Sequence, residues 1–318
     1  MSYADDAFIL GPVGLVEATR AAQVRLERRV RSLAPQLAAR LTPWMQGLAP
    51  GGKAEAYFLH PEAFPSLLLP WIFETSVTKN NPDQFGFDLV YSTIAGYYSI
   101  RLIDNVMDRE ATDEAILLPA SAFLHEEFAR HYHDVFPTGD VFWDFFDSHW
   151  ALSAEAAIED GGMTEIDRTA FETISARKVL AARIPMSAIA RRTLGGPTPT
   201  DWDELIRLLS LFHQMRNDLL DWRRDEERGA STYFLSQARN FAGLGEPVAL
   251  WLAREGFDWG VDLLRQWLDE ARDIAGRLGV PDIEAYLARR SRDLTKAVAS
   301  IRPGLAMIAA VAAVGPEA

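Results

Sequence analysis

The residues best suited to chemistry lie in one stretch, His213-Gln214-Met215-Arg216-Asn217-Asp218-Leu219-Leu220-Asp221-Trp222-Arg223-Arg224-Asp225-Glu226. As a helix it places Asn217, Asp221 and Asp225 at i, i+4 and i+8, on one stripe. Leu208, Leu211, Phe212, Met215 and Leu219 recur around them at helical spacing, which predicts a largely buried segment. Aligned acidic groups on a buried helix repel one another and are costly to desolvate. A divalent cation would offset that cost. Asn217, Asp218, Asp221 and Asp225 offer oxygen ligands only, which suit Mg²⁺ better than Zn²⁺.

A second acidic pair, Asp104 and Asp108, closes an apolar run that contains Tyr97, Tyr98, Ile100, Leu102 and Ile103. The i, i+4 spacing puts both carboxylates on one face, able to share an ion. Mg²⁺ keeps waters and is commonly completed by substrate phosphates, so two such helices facing each other in a bundle would make a diphosphate site. Arg177, Lys178, Arg224, Arg228 and Lys53 are the candidate cations for phosphate oxygens, although any one of them alone reads first as a surface residue. The cluster His125, Glu126, Glu127, His131, His133, Asp134 lacks the repeated Glu-xx-His units of a di-iron bundle and reads as a solvated face.

These groups need helices to position them, and nearly the whole chain reads as helix. Apolar periodicity predicts helices at 13–48, broken near Pro35, then at 65–78, 85–107, 113–132 and 141–159. Another at 164–192 is interrupted by Pro185, and four more follow at 231–240, 247–255, 259–279 and 282–301. Thr200 or Asp201 is positioned to cap the acidic helix, and Gly229 to stop it. No alternation of the strand kind, repeat or low-complexity linker interrupts this. The expected fold is all-α, a single domain over 1–318 with ten or more helices, and flexible ends at 1–12 and 315–318.

Composition narrows the function. The 318 residues are 48% hydrophobic and 24% charged, with 17 Phe and 9 Trp, enough for a large core. The net charge of -13 and the absence of a basic run argue against nucleic acid. An anionic substrate would then depend on local cations or metal ions. There is no cysteine, which excludes disulfides and thiol catalysis and suits a cytoplasmic location. No apolar run is long enough for a transmembrane span; the longest, 304–314, reads as a terminal core helix.

Taken together, these residues resemble the class I isoprenoid synthases: trans-prenyl diphosphate synthases, terpene cyclases and squalene/phytoene synthases. Gly51-Gly52-Lys53 is similar to the start of the prenyl synthases' Gly-Gly-Lys-Arg element. Asp104-Asn105-Val106-Met107-Asp108 resembles their first aspartate-rich motif, and Gln214-xx-Asn217-Asp218-Leu219-Leu220-Asp221 the second. Lys178 sits where those enzymes have a phosphate-binding lysine. Asn217-xxx-Asp221-xxx-Asp225 also has the spacing of the cyclases' metal triad.

The resemblance implies a bundle around a central apolar cavity, with Tyr97, Tyr98, Ser99 and Ile100 lining the pocket. It implies a trinuclear Mg²⁺ cluster, with Mn²⁺ as substitute ion, held by Asp104, Asp108, Asn217 or Asp218, Asp221 and Asp225 or its neighbour Glu226. Arg177, Lys178, Gln214, Arg224, Arg228 and Lys53 would hold the diphosphate of an allylic prenyl substrate, and a homodimer is compatible with it. The departures matter. Lys53 is followed by Ala54 and Glu55 rather than Arg, a lone Arg109 follows Asp108, and Ala230, Ser231 and Thr232 stand where a lysine is expected. A second-substrate site therefore looks dismantled. The sequence favours a terpene synthase that ionises one diphosphate. A prenyltransferase is the alternative, and a non-catalytic partner subunit the lesser one. Asp221 departs from the cyclases' serine, and no C-terminal Arg-Tyr pair is present.

Overall fold

Proline and glycine mark where this chain turns, and between those marks it is helical. The computed structural model describes residues 11–107, 112–243 and 245–314. Its helices are α1 (Val13–Leu33), α2 (Pro35–Gly47), α3 (Ala54–Phe58), α4 (Leu68–Thr78), α5 (Gln84–Met107), α6 (Pro119–His133) and α7 (Val141–Gly162). They continue with α8 (Arg168–Lys178), α9 (Ile184–Leu194), α10 (Thr200–Arg228), α11 (Tyr233–Phe241), α12 (Val248–Trp251), α13 (Phe257–Leu278) and α14 (Pro281–Val314). No β-strand occurs among the described residues, so the all-α expectation holds. No helix among them is long and apolar enough to cross a membrane.

The chain falls into two compact units. The first comprises the described residues of Met1–Phe146 together with Ile184–Thr198; the second is Asp147–Arg183 with Pro199–Ala318. In the first unit α5 packs on α6 and α1, α1 on α2 and α3, and α4 on α9. Small residues let α5 approach α6. A Cβ on Gly96 would sit 2.8 Å from the Phe128 ring, and Ser92 donates to the Phe128 carbonyl at 2.7 Å. In the second unit α10 packs on α8, α11 and α13, and α13 on α14.

Three expectations need correcting. Neither Thr200 nor Asp201 caps α10: Pro199 holds the N-cap position without a side-chain bond, and Asp201 pairs with Arg277 at 2.7 Å. The Ala-rich terminus is not a core helix. Between Arg302 and Ala310 only Leu305 is buried, and Met307 is 71% exposed, because small alanines give this end of α14 little to pack with. The His125–Asp134 segment is not one solvated face. Glu127 is buried and accepts from Tyr91 Oη (2.6 Å), Arg130 Nη2 (2.8 Å) and Arg29 Nε (3.2 Å), a network that offsets its desolvation. Of the two expected flexible ends, residues 1–10 and 315–318 lie outside the described residues. Gly11 and Pro12 are buried, and the Pro12 carbonyl accepts from Leu15 and Val16 at the start of α1.

Candidate functional site

The acidic helix α10 buries Trp202, Leu205, Leu208, Leu209, Leu211, Phe212, Met215 and Leu219 on one stripe. At about 100° per residue that stripe continues onto Asp218, three residues past Met215, with Asp225 seven residues further on and about 20° away from it, and not onto Asn217 and Asp221. The expected burial of Asn217 and Asp221 is therefore corrected. Asn217 and Asp225 are half-buried and Asp221 is exposed, with Arg224 3.8 Å away. Asp218 is the buried acid, 3% exposed.

Three neighbours define its environment. Gln214, one turn earlier, donates Nε2 to Asp218 Oδ1 at 2.9 Å. Lys178, the last residue of α8, donates Nζ to Asp160 Oδ2 of α7 at 2.7 Å. Ser153 of α7 fixes the Lys178 carbonyl at 2.6 Å, so the lysine is tethered to α7 by both main chain and side chain. Burial pushes the Asp218 carboxyl up to about 7; Asp160 and Asp225 act in the same direction, while Gln214 and Lys178 oppose them. Asp160, Lys178, Gln214 and Asp218 line one cavity of about 50 Å³ with Ser175, Ser231, Thr232 and the apolar Ile166, Phe171, Ile174 and Tyr233. It has room for a few water molecules. The far wall forms because Gly229 takes φ +69° and ends α10, and Thr232 then caps α11 by accepting from Leu235 N.

The other candidate residues are placed as follows. Arg177 is bound to Glu155 (2.9 Å) and Glu159 (2.6 Å) of α7. Arg224 and Arg228 are exposed in the last turns of α10. In the first unit Asp104 is half-buried in the last turn of α5 and accepts from Arg101 at 3.2 Å, while Asp108 lies outside the described residues. Lys53 is exposed at the N-cap of α3. Tyr98 and Ser99 are packed in the core: Tyr98 donates to Gln23 (3.1 Å) and Ser99 to the Ser121 carbonyl (3.0 Å). Tyr97 is half-buried and Ile100 exposed. Tyr97 and Tyr98 each contact the rings of Tyr57 and Phe58, and Trp44 meets Tyr98 edge-on at 5.7 Å.

For a divalent ion, the donor chemistry is suitable: oxygen ligands throughout, and a buried carboxylate that two other acids push toward protonation. Among the described residues no group of three or more His, Cys, Asp or Glu forms a ready cage. Mg²⁺ seldom needs one, since it retains waters and takes phosphate oxygens. Compared with models of known protein families and with curated proteins, the chain matches none.

Asp160 was missed in the sequence, as were Ser153, Ser231 and Thr232. A signal for Asp160 was available. Glu155, Glu159 and Asp160 end one helix and Arg177 and Lys178 end the next, opposite charges on consecutive helices. The structure pairs them.

Proposed function

We propose that this chain is a Mg²⁺-dependent class I terpene synthase that ionises one allylic prenyl diphosphate. The observation that carries the reading is that Lys178, Gln214 and Asp218, each singled out separately in the sequence, line one cavity of the second unit. An ammonium, an amide and a buried carboxylate around a polar cavity suit a diphosphate and its counter-ion.

In the second unit the residues that would hold Mg²⁺ are Asn217, Asp218, Asp221 and Asp225; Asp104 and Asp108, the acids of the first motif, are the candidate ligands of the first unit. Bound there, the metal would neutralise charge on the leaving diphosphate. Lys178, with Arg177, Arg224 and Arg228 as further cations, would bind phosphate oxygens. Gln214 orients Asp218 through its amide. The allylic C–O bond breaks with its electron pair leaving on the diphosphate. The resulting carbocation, with or without first closing a ring onto its own distal double bond, is quenched by loss of a proton to water or by addition of water and release of a proton. Glu55 favours one-substrate chemistry over chain elongation. Where an elongating enzyme has a phosphate-binding arginine nearby, this acid is buried and accepts from Arg20 at 2.8 Å.

The test is incubation with Mg²⁺ and geranyl, farnesyl or geranylgeranyl diphosphate, with and without isopentenyl diphosphate. A hydrocarbon or alcohol released without isopentenyl diphosphate is the expected result. A longer diphosphate formed only in its presence would assign a prenyltransferase. No diphosphate release under any condition would leave a non-catalytic subunit.

A further inference from the structure

Glu74 is a buried acid that the proposed chemistry does not use. It lies on α4 in the first unit and is 3% exposed. Among the described residues no hydrogen bond or ion pair reaches its carboxylate. It lines a small cavity with Trp71, Leu89, Val90, Ile189 and Thr93, whose hydroxyl is already donated to the Leu89 carbonyl at 2.7 Å. Gly86 of α5 makes the space: a Cβ there would stand 2.4 Å from Glu74 Oε2.

The charged groups that act on Glu74 come from two neighbouring elements. Asp83 belongs to the turn joining α4 to α5, and Arg192 to α9. The residues of α5 that share the cavity, Gly86, Leu89, Val90 and Thr93, have no charge. Arg192 grips Asp83 with both nitrogens, Nη1 to Oδ1 at 3.2 Å and Nη2 to Oδ2 at 2.9 Å, and lies 4.4 Å from the Phe85 ring centre. Asp83 also accepts from Phe85 N at 2.9 Å, so it starts α5 as well as tying it to α9. One guanidinium therefore serves a turn that has a second carboxyl buried beneath it.

We propose that Glu74 is a proton-operated latch on the α4–α5 turn. With its carboxyl neutral, Arg192 is committed to Asp83 and the turn is closed. With its carboxyl ionised, Glu74 competes with Asp83 for Arg192, the fork to Asp83 is drawn away, and the turn loosens. The direction follows from burial, which disfavours the charged form, and from Asp83, which repels it. Together they put the change near neutral pH.

The experiment is hydrogen exchange of the full chain over residues 79–86, corrected for intrinsic rate, at about pH 6 and about pH 8.5. Protection in the wild type should fall about tenfold between them. In Glu74→Gln, whose side chain stays neutral, it should remain at the low-pH level at both. Equal protection of the wild type at the two pH values, or the same fall in Glu74→Gln, would overturn the latch. If that variant fails to fold, a carbon-13 titration of Glu74 in the wild type decides: a midpoint near neutrality supports the proposal, and an ordinary carboxylate midpoint overturns it. In Asp83→Asn the midpoint should move down, because Arg192 is then free to serve Glu74.

Discussion

Gln214 donates its side-chain amide to Asp218 at 2.9 Å across one turn of α10, at the point where the buried stripe of that helix changes from leucine and methionine to an acid. The bond explains how a carboxylate can sit there. Asp218→Asn keeps a group of the same shape and removes a desolvated charge, so the fold should persist with a melting temperature within a few degrees of wild type. Diphosphate release should fall by about a hundredfold or more. Calorimetry and a phosphate-release assay check the two halves, and an active Asp218→Asn would remove this residue from the metal site.

Asp104→Ala and Asp221→Ala probe the more exposed acids. Neither side chain is part of the core, so circular dichroism should show an unchanged helical signal. Turnover should drop by about 10²–10³ in each. Full activity in both would sink the Mg²⁺ assignment.

Glu127→Ala tests the buried network of the first unit. The change strands Tyr91, Arg29 and Arg130 around an empty position. The arginines are partly solvated, which moderates the loss to about 2–4 kcal/mol in denaturant unfolding. Glu127→Gln retains some of these bonds and should cost less.

Two glycines should respond with opposite signs. Gly96→Ala drives a methyl against Phe128 where α5 meets α6, a cost of about 1–3 kcal/mol. Gly276→Ala on the exposed face of α13 meets nothing within 4 Å and should gain about 0.5–1 kcal/mol from helix propensity. Paired melts of the two variants check the contrast.

Glu74 should shape the dependence of stability on pH. Burial, aided by Asp83 and opposed by Arg192, pushes its carboxyl up to about 7, above the ordinary glutamate value of 4.5. The folded state then keeps a proton that the unfolded chain gives up. The stabilisation is fully present below pH 4.5 and is lost as pH rises through about 7, by up to about 3 kcal/mol. Glu74→Gln should therefore be more stable than wild type above pH 7 and close to it below pH 4.5, as urea titrations at both ends would show.

The helices were legible because their punctuation is local. Pro35 separates α1 from α2, Gly229 ends α10, and the break before Pro185 falls as expected between α8 and α9. Long apolar runs such as α5 declared themselves by periodicity. What the sequence left open depends on phase and partnership. A choice of stripe on α10 turns on one residue's rotation, so Asp221 was expected inside and Asp218 is the acid found there. Glu127 sits in a run of charged residues, and its burial depends on Tyr91 from α5 and Arg29 from α1 as well as on its own neighbour Arg130. Asp160 needed the facing of α7 and α8, which no single-helix pattern contains.

The Lys178–Asp160 bond has a consequence for the order of events in the cavity. An anion that takes the lysine from Asp160 makes an exchange of partners rather than a simple gain. Asp160, left without its ammonium near Asp218, then becomes an additional reason for a cation to enter. Cation and anion would thus raise each other's affinity by the same factor, and neither would bind well alone.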